Sequence, residues 1–85
     1  MYYVYILRCR DDTLYTGIAT DPEKRAAVHN SGKGAKYTRS RLPVTLVYTE
    51  PQPDRSAASK REYQLKQLSR SQKLALIDTQ KSQPE

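Results

Sequence analysis

The sequence predicts a single domain of the α/β class (α+β type): a small three-stranded antiparallel sheet flanked by helices, in the order β-β-α-β-α-α. Three observations carry that prediction. Two β-rich runs, at 2–8 and 14–19, are separated by polar turn residues. A β-branched run of strand length follows Pro43. Helix-start chemistry recurs at Asp21, Asp54 and Ser69. A chain of 85 residues can build one core but not two.

Each element has a local reason. In the first strand Tyr3, Tyr5 and Leu7 fall on one face and Val4 and Ile6 on the other. Both faces are apolar, so this strand belongs at the centre of the sheet. After the turn, residues 14–19 supply its hairpin partner. Asp21 reads as an N-cap, with Pro22 at the first helical position where a missing N–H costs nothing. That helix should end at about residue 30 or 31, before Gly32. Residues 32–41 read as a basic loop with one helical turn near Ala35. The third strand spans 44–49, opened by Pro43 and closed by Pro51 and Pro53. Asp54 caps a second helix reaching Leu68, and Ser69 with Gln72 is a capping-box signature for a third reaching about Asp78. The domain is therefore expected over 1–78, with 79–85 a polar, frayed tail.

Composition narrows the function classes. No apolar run approaches the roughly 18 residues of a membrane span, and the first eight residues resemble a strand rather than a signal peptide. A cytoplasmic protein without a membrane partner is expected. One Cys and one His cannot make a disulfide or a four-ligand Cys/His zinc site. Cys9 reads as a small buried residue on the Tyr5 and Leu7 face.

The formal net charge of +6 is unevenly placed. Six basic residues and no carboxylate lie between Lys24 and Arg41, and six more with only Glu62 between Arg55 and Lys73. Asp11, Asp12, Asp21 and Glu23 precede the first block, where they suit backbone capping better than metal binding. Two separated basic blocks favour a nucleic-acid surface over a merely solvated face.

Five residues could carry chemistry. Glu62 lies on the margin of the stripe formed by Ala57, Ala58, Arg61, Leu65 and Leu68, pointing toward a sheet edge. Its commoner fate is an ion pair with Lys66 one turn on; its functional fate is to hold a hard cation, since magnesium is often bound by one or two carboxylates plus phosphate and water. Arg25 and His29 share a helix face, where the first could grip a phosphate and the second could orient water or carry a proton. Surface Arg and satisfied helix His are the plainer accounts. Tyr5 and Tyr15 project from one face of the hairpin if paired residues have an even index sum, and not otherwise. Gly17 marks either a close approach to the strand or a bulge.

Tyr3-Val4-Tyr5, Tyr15-Thr16-Gly17, Arg25, His29 and a helical Glu62 after a third strand together resemble the GIY-YIG endonuclease superfamily, and within it the small single-domain bacterial members. The likeness covers about residues 2–78. The stretch from Gly32 to Arg39 also resembles the basic loop of these members and of related structure-selective resolving nucleases. Two positions depart from the pattern: Ile18 stands where some members have a Lys, and no Asn follows Asn30. The resemblance implies metal-dependent endonucleolytic hydrolysis of DNA, in repair or recombination, with one Mg²⁺ or Mn²⁺ on Glu62. Tyr5 and Tyr15 would place or deprotonate the attacking water, Arg25 would brace the phosphate and His29 would handle protons. Lys33, Lys36, Arg39 and Arg41 would hold the nucleic-acid backbone. A phenol near pKa 10 is a poor base at neutral pH, so this reading expects Arg25 and the metal to lower it. The alternatives are a non-catalytic DNA- or RNA-binding module and a protein-interaction adaptor on the same fold.

Overall fold

The computed structural model describes residues 1–81. Strands β1 (Tyr2–Arg8), β2 (Leu14–Ala19) and β3 (Thr45–Gln52) form one antiparallel sheet in the order β2-β1-β3. Helices α1 (Pro22–Asn30), α2 (Lys36–Arg39), α3 (Arg55–Lys66) and α4 (Arg70–Lys81) complete the chain. No helix among the described residues is long and apolar enough to cross a membrane.

As its two apolar faces predict, β1 is central. Val4 and Ile6 pack with Ala58 and Leu65 of α3 and Ile77 of α4. Tyr5 and Leu7 pack on the opposite face with Cys9, Ala19 and Val44, against Ala26 of α1. The sheet is therefore the middle layer, with α3 and α4 on one side and α1 on the other.

The helix caps form as the sequence predicts. Asp21 accepts from Lys24 N at 3.1 Å and Asp54 from Ala57 N at 2.8 Å. Ser69 and Gln72 close a reciprocal capping box, Gln72 N donating to Ser69 Oγ and Ser69 N to Gln72 Oε1. Gly32 adopts φ +84 just beyond α1, a left-handed geometry that glycine takes without penalty.

Four boundaries differ from the sequence prediction, the slightest being the start of β3 at Thr45 instead of 44. β3 continues through Pro51 to Gln52, because it is an edge strand and proline's missing N–H need not break a ladder on the open side. Between Ile6 and Leu7 its pairing with β1 shifts by one residue. That irregularity lets Val47 and Tyr48 pack in the same cluster, which strict alternation would forbid. Helix α3 stops at Lys66 instead of Leu68, and α4 runs on to Lys81, so 79–81 are helical. The rest of the expected tail, 82–85, lies outside the described residues.

The helix bearing Glu62 is clamped to the sheet by a network around Glu50. Arg61 donates to both Glu50 carboxylate oxygens, at 2.7 and 3.1 Å, while the Tyr48 hydroxyl and Gln52 each donate at 2.8 Å. Burial raises the carboxyl's proton affinity, but those donors outweigh it and hold Glu50 below its ordinary value. This bidentate pair fixes the rotation of α3 one residue before Glu62.

Candidate active site

Pairing across the hairpin sets Tyr5 opposite Gly17 and Leu7 opposite Tyr15. The index sum is even, so both tyrosines emerge on the α1 side. The ladder runs unbroken through Gly17, which excludes a bulge there. The missing side chain serves close approach: a Cβ at Gly17 would lie 2.6 Å from the Tyr5 hydroxyl oxygen. The Tyr5 ring occupies that space.

β2 is the other edge of the sheet, and an open cleft of about 410 Å³ wraps it. The cleft is lined by Tyr5 from β1, Tyr15, Gly17 and Ile18 from β2, Arg25 and His29 from α1, Lys33, Gly34 and Ala35 from the loop, and Glu62 from α3. All five candidate residues thus share one solvent-open concavity, although α3 packs on the other side of the sheet.

Each brings a different environment. Tyr5 is buried and its hydroxyl lies 3.3 Å from His29 Nε2. Burial chiefly, with Tyr15 and Glu62 adding, pushes its pKa up to about 12; Arg25 pulls the other way and loses. The expected cationic lowering therefore does not occur with the protein's own residues. His29 is buried as well, and burial, reinforced by Arg25, lowers its pKa, so the imidazole is neutral at pH 7. Its Nδ1 lies 2.8 Å from Thr38 Oγ1. Tyr15 is half-buried, stacked on Tyr37 at 6.0 Å and tilted against His29 at 5.3 Å, and its hydroxyl has no protein partner among the described residues. Arg25 is exposed and forms no ion pair among those residues.

Glu62 accepts a Lys66 ion pair at 3.4 Å, with its own side chain mostly covered and that of Lys66 half-exposed. An i,i+4 helix pair of this kind contributes about 0.2 to 0.5 kcal/mol, too little to oppose a divalent ion.

The basic residues divide. Lys33 lines the cleft, and Lys36 and Arg39 are exposed on the loop beside it. Arg41 is committed elsewhere: it donates to Tyr37 O at 2.7 Å, covers the Tyr37 ring at 4.1 Å and faces Asp11 at 3.2 Å. It builds the loop. Sequence reading missed Thr38, Gly34 and Glu50. Thr38 is fully buried against His29, and a Cβ at Gly34 would lie 2.8 Å from the His29 Cα. For Thr38 and Gly34 the only sequence signal was membership of the stretch from Gly32 to Arg39; Glu50 had none.

Residues 1–75 match the GIY-YIG catalytic domain. The chain belongs to the GIY-YIG family. It is 54% identical over 77 residues to a UPF0213 protein of Staphylococcus haemolyticus, covering 91% of this chain and 94% of that one. To a UPF0213 protein of Halobacterium salinarum it is 57% identical over 77 residues, covering 91% and 100%. The solution NMR structure of a UPF0213 protein from Bacillus halodurans superposes with a TM-score of 0.59 at 49% identity, covering 93% of this chain and 85% of that one. That of a protein from E. faecalis gives 0.62 at 42%, covering 99% and 90%.

GIY-YIG domains form a nuclease superfamily, act on DNA and generally use a divalent metal. The GIY-YIG cleft here offers one carboxylate and two phenols. Among the described residues no group of three or more His, Cys, Asp or Glu could enclose an ion, and both His29 nitrogens are engaged by hydroxyls. An all-oxygen set with a single carboxylate fits a hard ion that retains water and substrate oxygens, not one held in a protein cage.

Proposed function

We propose that this protein is a divalent-metal-dependent endonuclease that hydrolyses DNA phosphodiester bonds, in the setting of repair or recombination. The observation that carries the reading is the convergence of Tyr5, Tyr15, Arg25, His29 and Glu62, drawn from four elements, in one basic cleft open to solvent. Glu62 would hold one Mg²⁺ or Mn²⁺, which when bound supplies Lewis-acid polarisation of the scissile phosphate.

The chain's own residues do the rest. Lys33, Lys36 and Arg39 grip the backbone, and Arg25 donates to phosphate oxygens whose charge grows as water adds to phosphorus. The unpartnered Tyr15 hydroxyl orients that water. In the metal-free protein the Tyr5 phenol, with a pKa of about 12, does not ionise at neutral pH. Tyr5 instead relays: it accepts the water proton as it passes its own to neutral His29, 3.3 Å away. The phosphorus–oxygen bond to the leaving alkoxide breaks, and that oxygen is protonated from solvent.

Branched, nicked and linear DNA incubated with Mg²⁺ or Mn²⁺ tests this reading. Wild type should cleave at least one of them, and Glu62→Gln and Arg25→Ala should bind DNA but cleave roughly 10²- to 10³-fold more slowly. Intact DNA throughout, with salt-sensitive binding by all three proteins, favours a non-catalytic binding module. The Glu62–Lys66 ion pair is what that second reading predicts.

A further inference from the structure

The cleft contains a buried hydrogen-bond chain whose direction can be read from its far end. The Thr38 hydroxyl lies 2.9 Å from Ala35 O and 2.8 Å from His29 Nδ1. A carbonyl oxygen only accepts, so the single hydroxyl proton is spent on Ala35. Both contacts are hydrogen bonds only if the imidazole donates Nδ1–H to Thr38 Oγ1. Neutral imidazole has one N–H, so Nε2 carries a bare lone pair, and this is the atom that faces the Tyr5 hydroxyl at 3.3 Å. The opposite tautomer would set two lone pairs against each other at 2.8 Å, or forgo the hydroxyl's bond to Ala35 O, which also accepts Thr38 N–H at 3.1 Å and Arg39 N–H at 3.3 Å. Both Thr38 and His29 are almost fully buried, so water does not readily substitute for either partner.

We propose that Thr38 is a positioning residue that holds His29 as the Nδ1–H tautomer and so turns Nε2 into the acceptor for the Tyr5 proton. The other groups around the imidazole make no hydrogen bond that selects a tautomer: the Tyr15 ring is tilted against it, Arg25 acts through its charge, and Gly34 only leaves room for the ring. Thr38 also lies in the four-residue turn α2, between Lys36 and the exposed Arg39. Contacts with a polynucleotide backbone and the hydrogen bond that orients the imidazole thus share one short piece of main chain. The catalytic consequence rests on the nuclease reading above; the tautomer assignment does not.

The test is long-range ¹H–¹⁵N NMR of the His29 ring at fixed neutral pH in the full chain, comparing wild type, Thr38→Ser and Thr38→Val. Wild type and Thr38→Ser should show protonated Nδ1 and bare Nε2. In the isosteric Thr38→Val variant the tautomer ratio should move roughly tenfold toward Nε2–H, the size of effect expected for one lost buried hydrogen bond. With DNA as substrate, Thr38→Val should lower kcat and leave KM unchanged, while Thr38→Ser restores the rate. An Nε2–H imidazole in wild type overturns the proposal even if Thr38→Val does not fold. Unchanged tautomer and rate in a folded Thr38→Val variant also overturn it, and leave the nuclease reading standing. The expected spectra from a wild type that cleaves nothing would uphold the tautomer role and remove the nuclease.

Discussion

Two buried tyrosines on opposite faces of one sheet have similarly raised pKa values and different surroundings. Burial pushes both Tyr5 and Tyr48 up to about 12. Tyr48 donates at 2.8 Å to Glu50, whose two oxygens also receive Arg61 and Gln52, so the network is closed and its protons have nowhere to go. Tyr5 meets a neutral imidazole at 3.3 Å on the wall of an open cleft. Proton affinity alone does not distinguish a structural phenol from a working one. The partner's ability to accept a proton does, together with access to solvent.

The largest test of this contrast exchanges the two deletions. Tyr5→Phe should slow DNA cleavage by about 10²- to 10⁴-fold, the usual worth of a positioned proton-transfer group, and lower stability by about 1 kcal/mol as His29 loses its hydroxyl partner. Tyr48→Phe should leave cleavage unchanged and lower stability by about 1 kcal/mol, as Glu50 loses one of its donors. Equal effects of the two substitutions on rate would erase the distinction.

A smaller effect is expected from crowding the cleft side. A methyl at Gly17 collides with the Tyr5 hydroxyl and one at Gly34 with the His29 backbone. Each Gly→Ala change should cost roughly 1–3 kcal/mol by overpacking and reduce cleavage through displacement of the relay. Thermal denaturation and single-turnover rates measure both.

Smallest is the response to pH, which also separates the faces. Glu50 titrates below its ordinary value in the folded state. The folded chain then binds fewer protons than the unfolded one, so the contribution is whole above the unfolded pKa of about 4.3 and fades as pH falls through the lower folded value. His29 is likewise lowered. The midpoint of any acidic decline in cleavage should therefore lie below the ordinary imidazole value of about 6.5, where the imidazole charges and can no longer accept. A rate profile that breaks at or above pH 6.5 would contradict the burial assigned to His29.

Much of this was legible in the residues because the responsible interactions are local. Asp21, Asp54 and the Ser69–Gln72 box each satisfy helix-end donors three residues away, and Gly32 ends α1 through its own φ. The alternating apolar residues of β1 placed it at the centre, and the ordered set from Tyr5 to Glu62 carried the family. Pro51 misled because its cost depends on whether a strand has a second neighbour, which is not a local property.

Tertiary structure decided what depends on side chains distant in sequence. The even register brought Tyr5 and Tyr15 to one face, and the Glu50–Arg61 clamp set α3 so that Glu62 reaches round the β2 edge to meet them. Packing withdrew Arg41 into the loop and supplied Thr38 as the partner of His29. Without a metal it also raised the Tyr5 pKa, because the cost of desolvating a phenolate exceeds the attraction of one exposed guanidinium. Residue type and spacing set which groups are available and which backbone donors are capped. Burial, and the partner each buried polar atom must find, set what those groups can do.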